Sequence, residues 1–203
     1  MTMSDYNNDV IEQKLAFIND YYPYWHHGHV IKDLKELSFG RCNGCKGSCC
    51  KKNSCYYLTS DFGGNLNDQD YVRLILNGGL VSVSRSYFYR FSEKSDFLLL
   101  RPRHVLEKDR VIGKSIPLIR NLCIFLGQDG CILPRELRPT DGLIYKCKPK
   151  EKLLVYEIEK SWEPYQDTLK DIYKEYQDKY IPLPNVSEEQ VKEFQKVIMM
   201  PHY

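Results

Sequence analysis

The sequence predicts an α+β fold in which helices flank a small antiparallel sheet, with a cysteine-rich middle and a helical C-terminal appendage. Three observations predict it. Apolar residues recur at helical spacing near both ends, Val-, Tyr- and Leu-rich runs lie between them, and all eight cysteines fall in the middle. A chain of 203 residues can bury a core without disulfides. Its expected division is an N-terminal helical segment (1–39), a cysteine-cluster domain (40–150) and a strand with C-terminal helices (151–203).

Residues 9–22 read as an amphipathic helix with Ile11, Leu15, Ile18 and Tyr22 on one face, and a second short helix is expected over Val30 to Leu37. Asn67 or Asp68 can cap a helix running through Ile75 and Leu76, which Gly78-Gly79 would stop. Leu80 to Phe91 and Asp96 to Arg101 read as strands of a hairpin turning at Ser92–Ser95. A turn-rich stretch follows, punctuated by Gly127, Gly130, Pro134, Pro139 and Gly142. Leu153 to Ile158 alternates like a strand. Ser161 would cap a long helix that tolerates Pro164 in its first turn. In that helix Trp162, Tyr165, Leu169, Ile172, Tyr176 and Tyr180 form a stripe best read as core and interface packing. A last helix should start at Ser187, where Ser187 and Gln190 complete a capping box, and end near Met199.

Composition narrows the function classes. Hydrophobic content of 42% with 28% charged residues is ordinary for a globular chain and excludes a disordered or fibrous one. A net charge of +2 supplies no strong field for nucleic acid or anionic lipid, so no nucleic-acid partner is expected. No run approaches the roughly 18–20 apolar residues of a membrane span. The N-terminus lacks the basic and apolar regions of a secretory signal, which predicts a cytoplasmic, reducing setting. The sequence contains no phosphate-binding loop, dinucleotide-binding glycine pattern, zinc-protease motif or Ser-His-Asp arrangement.

The cysteines carry the chemistry. Cys42, Cys45, Cys49, Cys50 and Cys55 share one fourteen-residue window, and Cys123, Cys131 and Cys147 form a second nest. Clustered thiols in a reducing compartment point to metal or redox chemistry rather than to disulfides. The first nest has the spacing C-x2-C-x3-C-C. Its C-x2-C element lets two thiolates reach one metal, and Gly44 and Gly47 suit the tight turns of such a loop. Adjacent side chains diverge, so Cys49 and Cys50 suit two metals or two corners of a cluster. Arg41, Lys46, Lys51 and Lys52 accompany the nest, and no Asp or Glu lies between Gly40 and Ser60. Nearby cations favour the ligating thiolate. The setting of Cys123, within Leu122-Cys123-Ile124-Phe125-Leu126, would by itself suit a buried core thiol. The Trp25-His26-His27-Gly28-His29 run reads as a polar surface loop, and His104 reads as structural.

These segments together resemble the YkgJ-like cysteine-cluster proteins, described as zinc- or iron-chelating domains. The matching residues are Cys42, Cys45, Cys49 and Cys50, then Cys123-Ile124-Phe125-Leu126 with Gly130-Cys131, then Arg138-Pro139 and Cys147. The family places a cysteine two or three residues after its R-P pair, whereas seven residues, Thr140 to Lys146, intervene here. The resemblance implies one metal site built from both nests. Larger relatives resemble flagellin lysine N-methylases, which brings protein modification into view.

The expected ligands are therefore Cys42, Cys45, Cys49, Cys50, Cys55, Cys123, Cys131 and Cys147, holding an iron–sulfur cluster or zinc. The Cys49-Cys50 pair tips the balance toward iron–sulfur, while the absence of ferredoxin spacings argues for zinc. The first reading is a metal-cluster protein in redox or protein-modification chemistry. The alternative is a zinc-stabilised module that recruits a protein partner through its C-terminal helices.

Overall fold

The computed structural model describes residues 3–21, 30–36, 55–85, 97–106, 121–127, 130–144, 152–179, 181–182, 184 and 186–200. The fold is α+β: helices surround small two-stranded antiparallel ladders. Helix α1 spans Met3–Tyr21 and begins earlier than its apolar pattern indicates. Among the residues of α1 whose burial is described, Val10, Lys14 and Ile18 are the most deeply buried, at 2%, 1% and 0% exposure. They lie four apart and so form one stripe. Of the expected face, Ile18 is buried as predicted, Ile11 and Leu15 are half-buried beside the stripe, and Tyr22 lies outside the described residues. A lysine thus occupies the centre of the buried stripe.

The expected helix over Val30 to Leu37 is reduced to a single 3-10 turn, Leu34–Glu36. Asn19 of α1 explains the departure. Its side-chain amide donates to the Ile31 carbonyl and accepts from the Ile31 amide, at 3.0 and 2.9 Å, so Ile31 pairs with a side chain instead of a helical turn.

Helix α2, Gln69–Asn77, has the predicted ends. Asp68 caps it by accepting from the Asp70 amide at 2.9 Å, Gly78 ends it, and Gly79 takes a φ of +71° that suits glycine. Strand β1, Val81–Arg85, then pairs antiparallel with β2, Leu98–Pro102, as Val81 opposite Pro102 through Arg85 opposite Leu98. The expected turn at 92–95 lies outside the described residues. Leu98, Leu99 and Leu100 are all buried, so β2 is covered on both faces. Strands β3, His104–Leu106, and β4, Asn121–Cys123, form a second ladder, and β5, Leu126–Gly127, pairs with β6, Gly130–Cys131. Helix α3 follows at Thr140–Ile144.

The C-terminal third corrects two expectations. Leu153 to Ile158 is helical, part of α4 at Lys152–Trp162. Ser161 lies inside that helix rather than capping the next, and its hydroxyl donates to the Ile158 carbonyl at 2.8 Å. The expected long helix is divided. A 3-10 turn, Glu163–Tyr165, carries Pro164 where no helical amide is needed, and α5 runs Gln166–Tyr176. Helix α6, Glu188–Ile198, has the predicted capping box between Ser187 and Gln190.

One apolar cluster joins these parts. It contains Val10 and Ile18 of α1, Tyr57, Val72 and Ile75, Leu99 and Leu100, Phe125, Trp162, Leu169, Ile172, Phe194 and Ile198. The aromatic stripe is accordingly core. Trp162, Leu169 and Ile172 are buried, Tyr165 and Tyr176 pack against the cluster, and Tyr180 lies outside the described residues. Helix α6 docks on the Gly63-Gly64 turn. The Gly63 amide donates to the Ile198 carbonyl at 2.8 Å, and the Tyr71 hydroxyl donates to the same carbonyl at 2.9 Å. Only glycine suits position 64, because a Cβ there would fall 2.3 Å from the Tyr71 ring.

Candidate functional site: the described cysteines and the groups that hold them

The segment Cys55–Leu58 enters the core as an irregular chain tied at successive amides. Tyr56 N–H donates to Asp141 Oδ2 at 2.9 Å, Tyr57 N–H to the Leu100 carbonyl at 3.1 Å, and Leu58 N–H to Asp61 Oδ2 at 2.9 Å. The Trp162 indole closes the set by donating Nε1–H to the Tyr57 carbonyl at 2.7 Å. Cys55 is half-buried at the start of this segment, and its Sγ lies 3.1 Å from where a Cβ on Gly142 would stand. Glycine at 142 therefore lets α3 approach the thiol closely.

Cys123 and Cys131 come from neighbouring strands. Cys123 is buried and stands directly opposite His104 across the β3–β4 ladder. The Ile124 amide donates to the Arg103 carbonyl one step away, at 2.8 Å, so His104 and Cys123 form the closer, non-hydrogen-bonded type of pair on one face. Cys131 is half-buried opposite Leu126. Its carbonyl accepts from Arg138 Nη2 at 3.1 Å, while Arg138 Nε donates to the Leu133 carbonyl at 2.8 Å. The arginine of the R-P pair thus holds the backbone around Cys131.

Tyr57 is fully buried, and its ring lies 5.1 Å from that of Phe62. Burial pushes its phenol well above the ordinary range, and negative charge on Asp61, Cys123, Cys131 and Cys55 pushes it the same way. The Tyr57 hydroxyl has no hydrogen-bond partner among the described residues. His104 Nε2 is likewise buried without a partner among the described residues. Burial, then the Arg101 charge, lowers the His104 imidazole to about 4, so it is neutral near pH 7.

A buried ion pair ties α1 to these segments. Lys14 Nζ lies 3.2 Å from Asp61 Oδ1 and donates to the carbonyls of Glu136 and Arg138 at 2.7 and 2.8 Å. Asp61 also accepts from the Thr140 hydroxyl and from the Thr140 amide at 3.0 Å. Burial pulls the Lys14 ammonium below its ordinary range, and Asp61 opposes that pull. The stretch between the R-P pair and Cys147 has a structural role here. Its first residues form α3, whose Thr140 and Asp141 hold Asp61 and Tyr56.

Cys42, Cys45, Cys49, Cys50 and Cys147, together with His26, His27 and His29, lie outside the described residues. Among the described residues, no group of three or more His, Cys, Asp or Glu side chains could hold a metal ion. Lys14, Tyr57 and Asp61 were not singled out by sequence reasoning. The signal for Lys14 was a cation in line with Val10 and Ile18; for Tyr57 it was the i, i+2 spacing from Cys55. No family model, curated protein or solved structure matches the chain. Among the described residues, no helix is long and apolar enough to cross a membrane.

Proposed function

We propose that this is a cytoplasmic metal-binding protein whose two cysteine nests hold one iron–sulfur centre, serving redox or protein-modification chemistry. The observation that carries the reading is that parts of both nests pack on one stretch of chain: Cys55 lies against Gly142 of α3, and Arg138, just before α3, holds the Cys131 carbonyl. The donor type fits a thiophilic metal, because Cys55, Cys123 and Cys131 are free thiols. The described thiols do not complete a site, so the remaining ligands would come from Cys42, Cys45, Cys49, Cys50 and Cys147. The likeness to the YkgJ-like proteins supports the same assignment.

A bound cluster would supply one-electron exchange. The chain's own contribution is placement. Arg138 fixes the Cys131 backbone, and the Lys14–Asp61 pair joins α1 to the segment after β6.

Metal and acid-labile sulfide content, with a visible spectrum, tests the proposal on anaerobically purified protein. The expected sample is brown, with iron and sulfide in matching amounts. A colourless protein holding zinc would replace the redox reading with a structural one. A protein with neither metal would overturn both.

A further inference from the structure

We propose that the outer edge of β1 receives an extended, acidic segment of a partner protein as an added strand. The ladder shows which groups face outward. The Arg103 amide donates to the Leu80 carbonyl at 2.8 Å, in line with the register of Val81 opposite Pro102. Hydrogen-bonded pairs alternate along an antiparallel ladder, so Ser82 and Ser84 turn their backbone groups toward β2, and Val81, Val83 and Arg85 turn theirs away. The same alternation sends Leu98, Leu100 and Pro102 to the outer edge of β2. That edge is largely taken. The Gln166 side chain holds both the amide and the carbonyl of Leu98, the Tyr57 amide holds the Leu100 carbonyl, and Pro102 has no amide to offer. On β1, Val81 is buried, which leaves half-buried Val83 as the accessible position. Neither its amide nor its carbonyl has a hydrogen-bond partner among the described residues.

A cavity of about 300 Å³ lies along this edge. It is lined by Val81, Ser82 and Val83 in succession. Successive side chains leave a strand on opposite faces, so contact with three in a row places the cavity at the strand's edge. Tyr173 and Tyr176 of α5 add aromatic wall to it. Charge selects the occupant. Arg103 and Lys179 line the cavity, and no Asp or Glu among the described residues does. The Arg103 guanidinium is held by the carbonyls of Gly79, Ile181 and Pro182, at 3.3, 2.8 and 3.0 Å, with no carboxylate partner among the described residues. Lys179 lies over the Tyr176 ring at 4.3 Å, and Glu175, 3.8 Å from it, is shared with Arg73. A strand carrying carboxylates beside its backbone pair with Val83 would meet this positive charge, with the main chain supplying affinity and the side chains selectivity. A second copy of the chain is the poorer occupant, because its identical edge carries the same cations.

Amide hydrogen exchange and peptide binding test the proposal on the full chain. In the free chain the Val83 amide should exchange at least about 100-fold faster than those of Ser82 and Ser84. The probe is a blocked hexapeptide alternating valine and glutamate, with a valine–lysine hexapeptide as its counterpart. The glutamate peptide should bind at least about 10-fold more tightly than the lysine one and should slow exchange at Val83. Val83→Pro removes only an outward amide, so it should keep the circular dichroism spectrum and weaken peptide binding by about 10-fold. Lys179→Glu, at an exposed position, should narrow the preference for glutamate over lysine. A Val83 amide as protected in the free chain as that of Ser82 would show the edge already covered. Equal binding of the two peptides, or binding of neither, would remove the acidic partner. Protection that rises with protein concentration alone would give the edge to a second copy. Each of these three results overturns the proposal. Should Val83→Pro fold poorly, the glutamate peptide N-methylated at its valines, or at its glutamates, probes the same bonds from the other side. One of the two should lose binding, and undiminished binding of both would count against the added strand.

Discussion

Asp61→Ala is expected to lower the unfolding free energy by about 3–5 kcal/mol, the usual consequence of stranding one member of a buried ion pair. Lys14 would keep only the carbonyls of Glu136 and Arg138, in a place where burial already disfavours its charge. The amides of Leu58 and Thr140 would lose their acceptor at the same time. Urea unfolding followed by circular dichroism measures the loss. Adding Lys14→Met should recover part of it, because the stranded charge is then gone, although the two amides stay unpaired. A single Asp61→Ala variant within about 1 kcal/mol of wild type would show that the pair does not clamp α1 to the chain around the site.

Trp162→Ala should cost a similar amount, about 3–5 kcal/mol, for a different reason. The side chain is wholly buried, meets the Phe62 ring edge-on at 5.9 Å and the Tyr165 ring at 6.2 Å, and holds the Tyr57 carbonyl. Its removal leaves a cavity and an unpaired carbonyl together. Trp162→Phe keeps much of the volume and should lose only about 1–3 kcal/mol. The same urea titration separates the two. Equal losses would place all of the effect in the hydrogen bond.

Local signals made much of the fold legible. Asp68 and Ser187 caps, the Gly78-Gly79 stop and the β1–β2 pairing depend on residues close in sequence or on strongly patterned runs, and each lies where expected. Leu153 to Ile158 misled because six residues cannot separate a period of two from one of 3.6. With Trp162 included, Ile158 and Trp162 fall four apart on the buried side of one helix. Lys14 was passed over because a lysine among apolar neighbours ordinarily marks an exposed face. Its partners are at Asp61, Glu136 and Arg138, and no local pattern announces so distant a pairing.

The site was legible in its residue types and illegible in its arrangement. Spacing identified the two nests, but how their residues are held depends on Gly142 against Cys55 and on the Arg138 strap at Cys131. By sequence His104 reads as structural. Its position opposite Cys123 is a matter of strand register, which the sequence alone did not specify.

The central claim is that both nests serve one centre, and metal content in a pair of single variants tests it most directly. Cys49→Ser disables the first nest and Cys131→Ser the second. The account predicts that each variant, purified anaerobically beside wild type, loses most of the bound iron and its visible absorption. Full wild-type metal content in either variant would contradict it.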